Sequence, residues 1–160
     1  MNLTIGIDPG PETSDAVVLD SEGLVVGKIS CPNGEMYACV DNWKQQGERV
    51  VVEDFVPYGA RLSYESMDTI KFIGALFWAH GCEVLSRKAI KLHLCGIASA
   101  TNANVKDALV HEYGGSRERA VGKKKTPGPL YGITDHLWAA LAVAVTAADL
   151  AAAQAAGGEK

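Results

Sequence analysis

Hydrophobic and polar residues alternate near the start of the chain in the pattern of β-strands. Leu3, Ile5 and Ile7 would share one face of the first run, and the intervening residues would share the other. Segments rich in proline, glycine or acidic residues separate this run from two similar ones. Because such segments form turns, the pattern predicts three strands joined by hairpins. These strands are expected at 3–8, 16–19 and 24–29.

The remainder of the chain combines buried strands with helical patterns. The dense apolar run 50–55 is typical of a central strand buried on both faces, and 83–85 predicts a short strand followed by a loop over 88–99. Residues 116–133 are predicted to form an irregular loop. Apolar positions three or four residues apart predict helices over 35–46, 63–80, 104–113 and 135–156. The expected core stripe of the second helix is Met67, Ile70, Ile73, Gly74 and Phe77.

The order of these elements predicts an α/β fold with a central five-stranded mixed sheet. A three-stranded antiparallel meander would be extended by strands that enter through helices and therefore pair in parallel. The 160 residues are 48% hydrophobic and 21% charged, which suits one domain over 1–156 with a flexible tail over 157–160. We found no apolar run near the roughly 20 residues that cross a bilayer and no signal segment. We therefore expect a cytoplasmic protein without membrane contact.

Charge is distributed unevenly along the chain. The formal net charge of −4 does not indicate nucleic-acid binding by the whole molecule. A loop within 115–128 is nevertheless basic, and a local cluster of cations can engage phosphates because nearby charges are screened least. The candidate phosphate-binding residues are Lys91, Lys106, Arg117, Arg119, Lys123, Lys124 and Lys125.

Two carboxylates occupy unusual positions. Asp8 ends the first strand just before a Pro-Gly turn, and Glu53 lies within the apolar run of the central strand. A buried carboxylate costs several kcal/mol unless it is paired or binds a metal. Asp135 and His136 open the last predicted helix, where the helix dipole favours an anion. If these segments converge, their oxygens suit Mg²⁺ or Mn²⁺, and two such ions about 3.5–4 Å apart would suit phosphodiester hydrolysis.

A structural explanation exists for each of these acids. Asp135 could cap a helix, Asp8 could begin a turn, and Glu53 could be a core acid paired with an arginine or a lysine. The residues alone leave these alternatives open.

Four blocks of sequence together resemble one known family. They are the run Ile-Gly-Ile-Asp-Pro-Gly at 5–10, the acidic strand at 50–55, the segment from Lys91 through Gly96 to Asn104, and His136 with the apolar residues that follow it. In this order they resemble the RuvC-type Holliday junction resolvases, a branch of the RNase H-like fold. Trp138 and the segment 127–132 look most like the resolvases of phages and prophages.

The resemblance implies a function, a cofactor and partners. It implies a crossover junction endodeoxyribonuclease that hydrolyses phosphodiester bonds in branched DNA, uses two Mg²⁺ or Mn²⁺ ions and acts as a homodimer in the bacterial cytoplasm. Asp8, Glu53 and His136 match metal-binding positions of the family, and Asp135 is a further candidate. Asn102 stands where relatives often carry a lysine that contacts phosphate.

One position departs from the family pattern. Ala139 stands where the family usually carries the last metal-binding aspartate. Asp135 could supply the missing carboxylate from the same helical face, the phage branch could work with fewer acids, or Ala139 could be an inactivating substitution. The alternative functions are a junction-binding protein that does not cut and an RNA-processing nuclease of the same fold.

Aromatic and apolar residues suggest two further contacts. Phe55 and Tyr58 follow Glu53 closely, and either side chain could stack on an unpaired base of the junction or pack within the protein. Two symmetric cuts require two active sites, so a two-fold dimer is expected. Its candidate face is the helix 63–80, through Phe72, Gly74, Phe77 and Trp78, although packing against another helix would produce the same pattern.

Overall fold

A five-stranded mixed sheet forms the centre of the protein, as the sequence predicts. The computed structural model describes residues 2–157. The first three strands pair antiparallel, whereas the fourth and fifth add in parallel, which gives the order β3-β2-β1-β4-β5. The strands are β1 (Thr4–Pro9), β2 (Thr13–Leu19), β3 (Val25–Pro32), β4 (Arg49–Asp54) and β5 (Glu83–Ser86).

Helices cover both faces of the sheet. The helices are α1 (Asn33–Gln45), α2 (Tyr64–His80), α3 (Arg87–Cys95), α4 (Asn102–Gly114), α5 (Arg117–Ala120) and α6 (Leu137–Gly157). Helices α1 and α2 pack on one face, in a core that includes Ile5, Ile7, Met36 and Leu76. Helix α6 covers the other face together with residues of α3 and α4. Of the expected tail over 157–160, Gly157 ends α6, and the other residues lie outside the described range.

Two segments predicted as loops contain regular structure. The expected loop over 88–99 is mostly helix α3, which begins where the Ser86 hydroxyl accepts a hydrogen bond from the Ala89 amide at 3.1 Å. The helix ends at Gly96, whose φ of 76° favours glycine. The expected loop over 116–133 contains α5 and a small hairpin of β6 (Gly122–Lys123) and β7 (Thr126–Pro127).

Helix α2 turns a different face to the core than its apolar pattern predicts. Its buried residues are Thr69, Ile73 and Leu76, whereas Met67 and Phe77 of the predicted stripe are exposed. The prediction failed because the helix carries apolar residues on two sides, and only the position of the sheet selects between them.

Helix α6 corrects two expectations. It begins at Leu137 rather than at Asp135, because Asp135 has a φ of 44°, which lies outside the helical region. Its 21 residues are also apolar enough to cross a bilayer by length and composition, contrary to our expectation. Residues 140–147 are buried against the sheet, and a core helix of a soluble protein meets the same criterion.

Candidate active site

A close contact between β1 and α6 places the N-terminal end of α6 beside the end of β1. A Cβ atom on Gly6 would lie 2.3 Å from the Ala144 nitrogen and 2.4 Å from the Ala140 oxygen, so only glycine allows this approach. As a result His136, which precedes α6, lies near the strand end, and its Nδ1 is 3.2 Å from Asp8 Oδ2. The structure thus brings together two residues that are 128 positions apart.

Hydrogen bonds from neighbouring elements hold the turn that follows Asp8. The Asn33 side-chain amide donates to the Gly10 carbonyl at 3.0 Å, and its oxygen accepts from the Ser14 hydroxyl at 2.7 Å. These contacts connect the turn to the start of α1 and to β2. They therefore hold the end of β1 and its carboxylate in place.

The Asp8 carboxylate is held in an environment that disfavours its charge. Burial, reinforced by the neighbouring Glu53 carboxylate, raises the pKa of Asp8 from 3.8 to about 6. His136 and Arg87 act in the opposite direction but offset only part of the rise in pKa. The positive charge near Asp8 therefore does not compensate for its burial and for the neighbouring carboxylate.

Glu53 lies on β4 and pairs with an arginine. It is 7% exposed, and its two oxygens accept hydrogen bonds from Arg87 Nε at 2.5 Å and from Arg87 Nη2 at 3.4 Å. Pairing with a cation was one of the explanations that the sequence left open for Glu53. Arg87 is the first residue of α3, which starts directly after β5, the parallel neighbour of β4. The strand pairing therefore brings the guanidinium to the carboxylate.

Two cavities meet at Glu53, Arg87 and His136, which line both. The first, which we call the acidic cleft, has a volume of about 560 Å³, and the second, the cationic groove, has a volume of about 370 Å³. The charged residues of the acidic cleft, besides the shared three, are Asp8, Asp15, Asp54 and Glu65. Those of the cationic groove are Lys91, Lys106 and Asp135.

The predicted DNA-binding residues are divided between the cavities and a separate surface. Phe55 and Tyr58 line the acidic cleft. Lys91, Asn102 and Lys106 line the cationic groove, where Lys106 Nζ lies 4.6 Å from the centre of the Trp138 ring. The basic residues of α5 and the small hairpin line neither cavity, and α5 packs against the C-terminal end of α4, away from the groove. These residues are Arg117, Arg119, Lys123, Lys124 and Lys125.

Asp135 and Ala139 lie in the cationic groove rather than in the acidic cleft. Asp135 precedes α6 in a left-handed conformation, so Asp135 and Ala139 do not share a helical face as predicted. The structure therefore does not place the Asp135 carboxylate with that of Asp8.

The donor chemistry of the site fits a divalent cation. Asp8 and Glu53 supply carboxylate oxygens, His136 supplies an imidazole nitrogen, and the raised pKa of Asp8 marks negative charge that an ion would neutralise. Within residues 2–157, no group of three or more His, Cys, Asp or Glu side chains is arranged to hold a metal ion, and Arg87 holds the Glu53 carboxylate. The residue types thus suit a divalent cation, but their arrangement is not that of a metal site, so a bound ion, single or paired, stays a prediction.

The protein has the RNase H-like fold of RuvC. It is similar over its whole length to the structure of Thermus thermophilus RuvC, with a TM-score of 0.63, 22% identity, and coverage of 95% of this chain and 96% of that one. It is equally similar to T. thermophilus RuvC in complex with a Holliday junction substrate, with a TM-score of 0.63, 21% identity, and coverage of 96% and 97%. No family profile matches the sequence, and no curated protein sequence matches it significantly. The fold expectation is confirmed, whereas the phage branch stays a prediction.

Several residues that line the two cavities gave no signal in the sequence. Asp54 ends β4 and Asp15 lies near the start of β2, so both resemble ordinary strand-end residues. Glu65 resembles a common first-turn acid of a helix. Arg87 gave no signal because its segment was predicted to be a loop, although Ser86 and Gly96 are typical residues for the two ends of a helix.

Proposed function

We propose that this protein is a divalent-metal-dependent endodeoxyribonuclease that cuts branched DNA, including four-way junctions. The proposal is supported by the fold shared with RuvC, one structure of which is in complex with a Holliday junction substrate. The observation that carries it is the convergence of Asp8, Glu53 and His136, from the two ends of the chain and its middle, at the junction of two cavities.

The residues of the site have distinct roles in the proposed hydrolysis. Asp8 and Glu53 would hold the cation, which supplies Lewis acidity and charge compensation for attack of water on a phosphodiester. The His136 side chain is 78% exposed and its ring contacts Asp8, so it is placed to accept a proton from water while Asp8 orients the ring. The leaving 3′ oxygen takes up a proton, which yields 5′-phosphate and 3′-hydroxyl ends.

The surroundings of the site suit a DNA strand. Lys91 and Lys106 line the cationic groove and would bind backbone phosphates on one side of the cut. Phe55 and Tyr58 line the acidic cleft, and Tyr58 is 71% exposed, so its ring can stack on an unpaired base. Recognition would therefore depend on branch shape and backbone rather than on base edges.

A second copy of the chain would supply the second cut. Phe72, which was predicted for the dimer face, packs against the core instead. The apolar residues of helix α2 that lie away from its buried side are Met67, Ile70, Gly74, Phe77 and Trp78. The centre of this exposed face is open, since a Cβ atom on Gly74 would meet nothing within 4 Å, so another helix can approach closely. This face suits a two-fold contact between copies, and we place the homodimer in the cytoplasm of its host.

Cleavage of a synthetic four-way junction in Mg²⁺ or Mn²⁺ tests the proposal. We expect the protein to nick the junction near its centre, and we expect Asp8→Asn and Glu53→Gln each to reduce the rate by at least about 10²-fold. Both variants should keep their affinity for the junction, measured by gel shift in EDTA. Asp107→Asn, at an exposed position of α4 that lines neither cavity, is the matched control and should cut normally. A normal cleavage rate in either site variant would show that its carboxylate is not part of the site.

A second candidate function is junction binding without cleavage. It is favoured by Ala139, which lines the cationic groove beside Glu53 and His136 and brings no carboxylate there. If the wild type binds junctions but does not cut them, and Ala139→Asp cuts, the chain is an inactive nuclease. Cleavage by the wild type excludes this candidate.

A further inference from the structure

Arg87 is the one residue with a permanent positive charge that lines both cavities among the described residues. Its guanidinium uses Nε and Nη2 to hold the two oxygens of Glu53. The Arg87 side chain is nevertheless 48% exposed, while the Glu53 side chain is 9% exposed. The pair is therefore anchored on the protein side and open on the side of the cavities.

The anchored guanidinium keeps hydrogen-bond donors that the protein does not use. An arginine side chain carries five N–H donors in a fixed planar fork. Among residues 2–157, Glu53 is the only hydrogen-bond partner of the Arg87 side chain, and it takes two of these donors. The remaining donors suit the oxygens of a phosphate, which arginine binds in a bidentate manner. Lys91 and Lys106 line the same groove and would lead a DNA backbone toward them.

The surplus of carboxylates around the site also calls for positive charge where Arg87 lies. Ala139 lines the groove without a carboxylate, and Glu53 and Asp8 are the acids whose charges act on Arg87. The acidic cleft also carries Asp15, Asp54 and Glu65, so carboxylates outnumber the one guanidinium where the cavities meet. Hydrolysis of a phosphodiester still requires positive charge on both sides of the reacting phosphate.

We propose that Arg87 is a catalytic residue whose unused guanidinium N–H groups bind the scissile phosphate. This inference rests on the proposed nuclease function. Glu53 would be both a ligand of the cation and the group that orients the guanidinium. Arg87 takes no part in proton transfer, because a guanidinium stays protonated at working pH.

The competing explanation is that Arg87 only neutralises a buried glutamate. The two explanations differ in the salt dependence of DNA binding, because each phosphate contact releases counterions. We expect Arg87→Gln to reduce the slope of log K against log salt by about 0.9 for a four-way junction in EDTA. Single-turnover cleavage should fall by about 10²–10³-fold. Arg87→Lys should keep most of the slope but lose most of the rate, since lysine cannot bind in a bidentate manner.

Lys88→Gln is the matched control, because Lys88 is exposed, follows Arg87 directly and lines neither cavity. It should leave the cleavage rate unchanged. If Arg87→Gln leaves Glu53 unpaired and fails to fold, Glu53→Gln and Glu53→Gln/Arg87→Gln provide the same comparison of slopes without the buried charge. An unchanged slope in that comparison, or an unchanged cleavage rate in Arg87→Gln, overturns the proposal for Arg87. A wild-type protein that does not cut branched DNA instead overturns the proposed function.

Discussion

Asp8 lies where its charge is unfavourable for folding, and in the proposed function the same charge would bind a cation. Its pKa is raised to about 6 because the folded protein removes water from the carboxylate and places Glu53 nearby. A carboxyl group whose pKa is higher in the folded state than in the unfolded state destabilises the fold when it is ionised. This destabilisation is present at pH values above the pKa of the folded state and disappears as the pH falls toward the pKa of the unfolded state.

We therefore predict that Asp8→Asn stabilises the protein at neutral pH. The rise in pKa from 3.8 to about 6 corresponds to about 3 kcal/mol, so the free energy of unfolding should increase by about 2–3 kcal/mol at pH 7.5. At pH 4 the wild type is largely protonated at this position, and the two proteins should be nearly equal. Urea unfolding in EDTA at both pH values measures the difference. A less stable variant at pH 7.5, or an equal increase in stability at pH 4, would contradict a raised pKa of Asp8 in the folded protein.

The pairing of Glu53 illustrates what the sequence could and could not predict at this scale. A glutamate within an apolar strand indicates a buried acid with a partner, and that much follows from the cost of burying a charge. The identity of the partner does not follow, because Arg87 is 34 residues away and reaches Glu53 only through the pairing of β4 with β5.

At the scale of elements, the contact of β1 with α6 determines the position of the site. Gly6 allows the helix backbone to lie directly on the strand, with no side chain between them. A methyl group there would meet backbone atoms of α6, which cannot move aside as a flexible side chain could. Helix α6 would have to shift as a whole, and His136 would shift with it.

We predict that Gly6→Ala destabilises the protein by at least about 3 kcal/mol, the upper range for overpacking a core. Thermal or urea unfolding measures the loss. Gly34→Ala is the control, because a Cβ atom there meets nothing within 4 Å and the residue lies in α1. It should be neutral or slightly stabilising, since alanine favours helix. Equal stability of the two variants would mean that α6 lies farther from β1.

The elements were predictable where local patterns are unambiguous. Alternation over 3–8 and the run at 50–55 sufficed for strands, because alternation fits a strand and a short run rich in β-branched residues favours one. Helix α3 was missed because it has only 9 residues, and Ile90 is its one buried residue. The core face of α2 was mistaken because apolar residues lie on both sides of the helix, and the choice between them is made by tertiary contacts.

At the scale of the whole molecule, the exposed face of α2 is the surface on which the proposed dimer depends. Trp78 is 85% exposed, and its ring meets that of Phe77 edge-on at 5.2 Å. Two large apolar rings on an open helix face, beside the open position at Gly74, favour contact with a second copy. In the proposed function each active site cuts one strand, so resolution of a junction would require both copies on the same molecule of DNA.

We predict that Trp78→Glu converts the dimer to a monomer and separates nicking from resolution. The substitution removes apolar area and places two like charges near each other across a two-fold axis, which opposes association. Analytical ultracentrifugation measures the mass, and a plasmid with a cruciform measures the cuts, since paired cuts give linear DNA and single cuts give nicked circles. The wild type should give mostly linear product, and the variant should give nicked circles.

Leu24→Glu provides the matched control for this experiment. Leu24 is 48% exposed and lies between β2 and β3, at the other end of β2 from Asp15 and the acidic cleft. The variant adds the same charge at another exposed apolar residue, away from α2, so its mass and its linear product should match the wild type. If Trp78→Glu remains a dimer and still linearises the plasmid, the copies associate through another surface. If both variants become monomers, the effect comes from added charge in general and not from the face of α2.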